Sequence, residues 1–314
     1  MRVLVTGGTG YLGRAIVSAA AARGHDVVVY ARTASRSGLP GRLVDGDVRD
    51  GEALADAARG CDAICHTAGL VAVWRPRVAD FGDVNVGGLE NVLRAATRQR
   101  IARIVYTSSF MALPPAGAGE PITANPYQQT KTAADRVARR AIALGAPLVA
   151  LYPGVVFGPG PLTAGNLVGR MISDHLAGRL PGMVGADRVW SFAWIDEVAA
   201  GHVAAIERGA PGALYPLGGE NAPQRRLWET VRALTGRTLP RAIPRWQAGL
   251  AAWAGERLAG VSGREPPLTR GTLTVLDHDW PLDSGQAIAD LGYRVVSLAD
   301  GVARLIPLLD HAGT

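Results

Sequence analysis

Lysine is almost missing from this chain of 314 residues: among thirty-three basic residues, Lys131 alone is not an arginine. A composition that writes positive charge as arginine everywhere else marks the exception as a chemical requirement, because a compact three-donor ammonium does what a planar guanidinium does not. Cysteine is scarce as well. Cys61 and Cys65 lie four apart on one expected strand, too extended for mutual bonding, and two cysteines suggest a reducing compartment. No apolar run is long enough to span a bilayer. Nor does a charged n-region with an apolar h-region open the chain, since strand-like sequence begins at residue 2. The expectation is a cytoplasmic protein with no membrane partner. The six histidines lack metal-ligand spacing, and Asp277-His278-Asp279 reads as a polar loop, so no metal is expected. A net charge of +6 is spread without a basic block interleaved with aromatics. Arg98, Arg100 and Arg103, like Arg139 and Arg140, read as solvated helix ends, which speaks against nucleic acid. Internal repeats and low-complexity linkers are missing too. With 48% hydrophobic and 19% charged residues the chain is globular, long enough for one large domain or a domain with a smaller cap.

What is present begins at the amino terminus. Arg2-Val3-Leu4-Val5-Thr6 is a short β-rich run, followed by Gly7-Gly8-Thr9-Gly10-Tyr11-Leu12-Gly13 and a helical pattern of Ala15, Ile16, Ala19 and Ala20. Glycines at 7, 10 and 13 fit a tight turn, a close approach to a pyrophosphate and close helix–strand packing, with helix N–H groups offered to phosphate. A second strand, His25 to Tyr30, ends without the acid that would accept from an adenosine ribose; Tyr30, Ala31 and Arg32 stand there, with Arg36 following. A guanidinium suits a 2′-phosphate, so NADP(H) is expected over NAD(H), although Arg32 and Arg36 also fit ordinary solvated loop residues. Arg42 to Val48 reads as a third strand and Cys61 to Gly69 as a fourth ending in a turn. Strands alternating with helices imply a doubly wound parallel sheet whose ligand site lies at the carboxyl ends, where Asp47, Val48, His66, Ala68 and Gly69 would sit. Asp47 could accept from an adenine amino group and Val48 could lie against the base, while His66 fits a packed strand-end residue better than a catalyst.

A long helix from Ala79 to Arg98 carries Asn85, and a fifth strand, Arg103 to Ser109, stops in hydroxyls. The helix Tyr127 to Leu144 follows. Tyr127 and Lys131 at spacing four share one helix face, where an ammonium can lower the phenol's pKa and make it an acid/base near neutral pH. On spacing alone an exposed helical pair would look the same.

Together these residues resemble the extended short-chain dehydrogenase/reductase family, within the NAD-dependent epimerase/dehydratase superfamily: TGGTGYLG at 6–13, GDV at 46–48, HTAG at 66–69, NV at 85–86, YTSS at 106–109 and YQQTK at 127–131. The match covers nearly all of the chain in the family's order. The resemblance implies an α/β fold, a Rossmann-type doubly wound parallel sheet with a smaller C-terminal substrate-binding cap. It also implies that Ser109 orients the substrate oxygen, Tyr127 passes it a proton, and Lys131 holds the nicotinamide ribose and acidifies Tyr127. Ser108 is the alternative if the strand register is off by one. The cofactor contacts it implies are Gly7, Thr9, Gly10, Tyr11, Leu12, Gly13, Arg32, Asp47, Val48, His66, Ala68, Gly69, Asn85, Thr107, Tyr127, Lys131, Tyr152, Pro153 and Val155. Residues 1–152 would form the NADP-binding domain and 153–314 mainly the cap, with 191–216 returning to the first domain. A homodimer through helices 79–98 and 127–144 is expected by the same likeness.

Substrate class rests on the cap. Nucleotide-sugar epimerases of the family typically carry an Asn at the position of Val155 and an Arg near Trp190; here a polar contact is lost and apolar area gained, though Arg188 is close. The sugar-nucleotide dehydratases carry an acidic pair after the strand-end Thr, and Thr107 is followed by Ser108 and Ser109. What remains is similarity to the branch of dihydroflavonol reductases and 3β-hydroxysteroid dehydrogenases, supported by Arg32 and by PPLTRG at 266–271. Trp74, Phe110, Met111 and Trp190, with Trp194 and Trp246, could line an apolar pocket, although any one tryptophan is more often core. Gln247 to Leu258 has Leu250, Trp253, Ala254 and Leu258 at helical spacing. It reads first as a packed or pocket-covering helix and only distantly as a membrane-surface anchor. The expected activity is NADP-dependent hydride transfer between nicotinamide and a ketone or secondary alcohol on a mostly apolar, cyclic small molecule. The alternatives are a nucleotide-sugar epimerase with the same residues and a non-catalytic NADP-sensing protein, against which the full Ser/Tyr/Lys set counts.

Overall fold

The computed structural model describes residues 1–310. Strand β1 (Arg2–Thr6) is buried from Val3 onward, as a strand sandwiched between two helical layers must be. A glycine turn leads into α1 (Tyr11–Ala22), followed by β2 (Asp26–Ala31), β3 (Arg42–Asp45), α2 (Gly51–Ala57), β4 (Ala63–His66), α3 (Ala79–Asn85), α4 (Gly87–Gln99), β5 (Arg103–Thr107), α5 (Pro126–Ala143) and β6 (Leu148–Pro153). Then come β7 (Val155–Phe157), α6 (Leu167–Leu176), β8 (Val189–Trp194), α7 (Ile195–Arg208) and β9 (Leu214–Leu217). The last part is β10 (Glu220–Pro223), α8 (Gln224–Thr235), α9 (Arg245–Ser262), α10 (Arg270–Leu276), α11 (Gly285–Leu291) and α12 (Leu298–Asp310).

Seven strands pair in the order β3-β2-β1-β4-β5-β6-β9, each pair parallel. The expected Rossmann-type doubly wound sheet is therefore present. Helices cover both faces of this sheet, so apolar side chains fill both. One core holds Ile16, Val17, Val198, Ala205 and Leu291 of α1, α7 and α11 against the sheet; the other holds Leu54, Leu89, Val92 and Ala134 of α2, α4 and α5. The strand order reverses between β1 and β4, which opens a crevice beyond their carboxyl ends.

A second, three-stranded sheet, β10-β8-β7, grows from the end of β6. Gly154 permits that junction: a Cβ there would come within 2.5 Å of the Ser191 carbonyl oxygen. Trp190, Phe192, Trp194, Trp228 and Trp280 build the core of this smaller part with Phe157. Some boundaries differ from the sequence reading. The return to the large sheet begins at Ile195, not Ser191, because residues 189–194 form β8 of the small sheet. Ala287, Leu291 and Tyr293 also pack into the large domain's core. The helix expected over 79–98 is two helices, α3 and α4, joined at Val86, with Gly87 and Gly88 beginning the second. Cys61 precedes β4 instead of lying on it; both cysteines are buried and free. No described helix is long and apolar enough to cross a membrane.

The glycine turn sets how closely α1 approaches β1. A Cβ on Gly13 would stand 2.2 Å from the Gly7 carbonyl oxygen, a backbone atom that cannot swing away. Gly13→Ala is therefore expected to destabilise the fold by about 1–3 kcal/mol or more, read as a lower urea midpoint, whereas Gly24→Ala, with nothing within 4 Å of its Cβ, acts only through its φ of +80°.

Candidate active site

The loops leaving β1 and β4 touch backbone to backbone. Gly7, at φ 70°, donates its N–H to the Tyr30 carbonyl at 2.9 Å, and a Cβ on it would lie 2.6 Å from the Ala68 backbone. Gly10 precedes α1 with no side-chain cap, so the first N–H groups of the helix, at Tyr11, Leu12 and Gly13, point free toward the crevice mouth. Uncapped amides beside glycines packed this closely fit the pyrophosphate of a dinucleotide. Arg14 donates to the Thr9 carbonyl at 3.0 Å and holds the turn. The Tyr11 ring, by contrast, is buried and donates from its hydroxyl to the Gly158 carbonyl at 3.1 Å, bracing the turn after β7.

At the ribose end, Tyr30 is fully buried and donates to the Asp47 carbonyl at 3.0 Å, so no carboxylate ends β2. Arg32 is exposed immediately beyond it. Asp47 lies two residues past β3, and its carboxylate accepts from Arg49 at 3.0 and 2.7 Å; that hydrogen bond holds its pKa below the usual carboxylate range. Val48 is buried beside the position of Gly88.

The centre of the crevice is held by buried polar groups. His66 accepts or donates through Nδ1 to the Thr6 hydroxyl at 2.7 Å, stapling β4 to β1. Burial, reinforced by the Lys131 charge, pushes its pKa down to about 3, so it is neutral and fits a strand-end strut. Asn85 accepts from the Leu70 N–H at 2.7 Å and donates to the Thr130 hydroxyl at 3.0 Å, tying the loop after Gly69 to α5. A Cβ on Gly69 would stand 3.3 Å from Asn85 Oδ1 and 3.6 Å from Lys131 Nζ.

The helix α5 carries the expected tyrosine and lysine. Asn125 caps it by accepting from the Gln128 N–H, and Pro126 opens its first turn. Tyr127 and Lys131 follow on one face. Lys131 is 5% exposed and donates from Nζ to the Thr107 carbonyl at 3.0 Å. Burial lowers its pKa to about 8, and the Asp135 charge opposes that fall. Ser109 lies just beyond the end of β5, accepts from the Met111 N–H at 3.2 Å and stands close enough to the Tyr127 phenol to pull its pKa down. Ser108 points the other way, donating to Asp135 at 3.5 Å. The phenol itself differs from expectation. Desolvation pushes the Tyr127 pKa up, and the Ser109 hydrogen bond, not Lys131, is what pulls it back. The ammonium is turned onto the Thr107 carbonyl, and its influence reaches His66 more than the phenol.

A serine hydroxyl, a desolvated phenol and a buried ammonium thus stand at the carboxyl edge of a doubly wound sheet. A profile of the NAD dependent epimerase/dehydratase family matches residues 3–218. The chain belongs to that family. It is 30% identical to the 2-alkyl-3-oxoalkanoate reductase of Stenotrophomonas maltophilia, over 97% of this chain and 98% of that one. It is 31% identical to the sterol demethylase protein B of Methylococcus capsulatus, over 80% of each. The crystal structure of gox2253 superposes with a TM-score of 0.83 at 30% identity, covering 99% of this chain and 98% of that one. Several relatives, among them a putative dihydroflavonol 4-reductase of Synechocystis, carry the names of reductases.

The remaining expected residues are scattered by function. Thr107 offers its carbonyl to Lys131 while its hydroxyl pairs with His202 Nε2 at 3.0 Å on the opposite face of the sheet. Tyr152 also turns away, donating to Asp135 at 2.6 Å. Pro153 and Val155 are buried at the β6–β7 junction. Phe110, Met111, Val155 and Trp190 share the apolar cluster above Ser109, where Phe110 meets Trp280 edge-on at 5.4 Å. Trp74 is half-buried on the loop beyond Gly69. Trp246 does not join them: it is 66% exposed on α9, because α9 buries alanines. Trp194 is buried against Phe157 and donates to Asp196 at 3.0 Å. Asp135, which Arg139 also holds at 2.6 Å, was missed; its spacing of four from Lys131 was the available signal.

Buried neutral histidines make stability depend on pH. His66 and His202 are held at about 3 and about 4, against an ordinary 6.5 when unfolded. Above that value neither state is protonated; below it only the unfolded chain takes up protons, so stability falls as pH falls. The urea midpoint is expected to drop between pH 6.5 and pH 5, and the slope should flatten in His202→Gln; an unchanged slope in that variant would contradict a buried neutral His202.

Proposed function

We propose that this protein is an NADP-dependent oxidoreductase that moves a hydride between the nicotinamide and a ketone or secondary alcohol on a mostly apolar, cyclic substrate. The observation that carries the reading is Ser109 beside the Tyr127 phenol beyond the carboxyl end of β5, with Lys131 one turn along α5 on the Thr107 carbonyl. When bound there, the nicotinamide supplies or takes the hydride. In the reducing direction Ser109 holds the carbonyl oxygen and Tyr127 donates its proton to that oxygen as carbon accepts the hydride. Lys131, anchored on the Thr107 carbonyl, has two further donors free for ribose hydroxyls. Its cationic form, strengthened by Asp135, lowers the cost of negative charge on the phenol once the ammonium is drawn toward it.

NADP is supported by Arg32 at the end of β2, where an NAD site would place an acid, and by the burial of Tyr30 at that position. The apolar substrate class is supported by Phe110, Met111, Val155 and Trp190 around the site. Arg188, the cation closest to an epimerase-like arginine, is ion-paired with Asp279 at 3.6 Å. The name of the sterol-related relative agrees with a cyclic apolar substrate, and that of the 2-alkyl-3-oxoalkanoate reductase with an alkyl-bearing but open-chain ketone.

Tyr127→Phe is expected to cut turnover of NADPH with aryl or steroidal ketones by roughly a hundredfold to ten-thousandfold while leaving NADPH binding by fluorescence intact; unchanged turnover would end the catalytic reading. Arg32→Ala should weaken NADPH binding by about tenfold or more and leave NADH nearly untouched. Equal losses for both cofactors, or tighter binding of UDP-sugars than of apolar ketones, would remove the cofactor or substrate assignment respectively.

A further inference from the structure

Helix α9 is folded inside out. Its inner side is made of small buried residues, Ala248, Ala252 and Ala259, the first two packing with Leu273, Ile243 and Val184. Its outer side carries the large ones: Trp246 is 66% exposed, Leu250 61%, Trp253 51% and Val261 93%, with Leu258 at 71% on the flank. The helix expected from sequence to pack or cover a pocket with these residues instead turns them to solvent. Residues 246, 250, 253, 257 and 261 recur at helical period and form one continuous stripe. No other helix or strand among the described residues leaves more than one large apolar side chain exposed. An apolar stripe of this length is a contact surface for something outside the chain.

Charge decides what covers it. Arg257 lies inside the stripe with its guanidinium 5.8 Å from the centre of the Trp253 ring. Arg241 and Arg264 are exposed near its two ends, and none of the three makes an ion pair among the described residues. The acids nearby are occupied: Asp277 pairs with Arg245 at 2.9 Å, Glu256 with Arg270 at 2.7 Å, and Glu265 accepts from the Val73 N–H at 3.3 Å. A second copy meeting this face across a two-fold axis would set arginine against arginine. A lipid surface bearing phosphates accepts both the apolar stripe and its cationic rim, and tryptophan suits that boundary.

We propose that α9 is an in-plane docking helix for an anionic lipid bilayer, with Trp246, Leu250, Trp253 and Val261 at the acyl boundary and Arg241, Arg257 and Arg264 at headgroup phosphates. A surface helix needs no spanning length, so the lack of a long apolar run does not bear on it. The inner side of α9 packs on α10, which reaches α5. Glycine at 271 lets the start of α10 press on the Ala124 carbonyl and Asn125, the cap of α5, where a Cβ would come within 2.5 and 2.9 Å. The proposal rests on exposure and charge and stands or falls apart from the reaction assigned above.

The test is co-sedimentation of the full chain with phosphatidylcholine vesicles, with and without phosphatidylglycerol. Binding is expected to the mixed vesicles and to weaken with salt. The triple variant Leu250→Ser, Trp253→Ser, Val261→Ser should lower the bound fraction by roughly tenfold or more, with its thermal unfolding and NADPH affinity unchanged. Arg257→Glu with Arg264→Glu should abolish the preference for phosphatidylglycerol. Failure of the wild type to bind mixed vesicles would overturn the proposal, as would a triple variant that binds like the wild type. Binding indifferent to both salt and charge reversal would overturn the anionic assignment. A wild-type dimer in sedimentation velocity that becomes monomeric in the triple variant, without vesicle binding, would give the face to a second copy instead.

Discussion

One ammonium taken out of water organises this molecule. Lys131 is 5% exposed, and a lone cation at that depth is unfavourable unless dipoles and a counter-charge meet it. The structure meets it with the Thr107 carbonyl at 3.0 Å, with the Tyr106 ring 5.5 Å away, and with Asp135 one turn farther along α5. These groups come from the sheet and the helix, so α5 has one seating on β5. That seating puts Tyr127, one turn before the lysine, against Ser109 at the end of the same strand.

The neighbouring contacts hold the same geometry from other directions. Asn85 links α5 to the loop beyond Gly69, and the touching of Gly7 and Ala68 fixes that loop to the phosphate-binding turn. His66 and Thr6 join the two strands beneath. Asp135 is held in turn by Arg139 and Tyr152, so a carboxylate that supports the lysine's charge cannot rotate out to solvent. The crevice and the acid/base pair are thus parts of one polar network running through the sheet's carboxyl edge.

Much of this was legible in the residues because each feature is local. The glycine spacing 7, 10, 13 encodes close packing whatever the rest of the chain does, and Tyr127 with Lys131 share a face through helical period alone. The parallel, doubly wound character of the sheet follows from alternating strands and helices. What was misread depends on distant partners. The phenol's proton affinity is set by burial beneath the cap, so the expected acidification by Lys131 gave way to a rise. The stripe on α9 has a period that reads equally as inward or outward; only the alanines opposite, packed on Leu273, show that the large side chains face out. The split of the segment 191–216 between two sheets likewise depends on pairings that no local pattern carries, whereas the join at Val86 was marked locally by Gly87 and Gly88.

Because the chain has a single lysine, its state can be followed without assignment. Protein labelled with carbon-13 at the lysine Cε, titrated by nuclear magnetic resonance with and without NADPH, isolates that one group. The account requires a lone resonance that titrates near pH 8 in the protein alone and shifts on addition of NADPH. A resonance that titrates near the ordinary value of about 10.4 and ignores NADPH would place the ammonium in water, and would contradict the site described here.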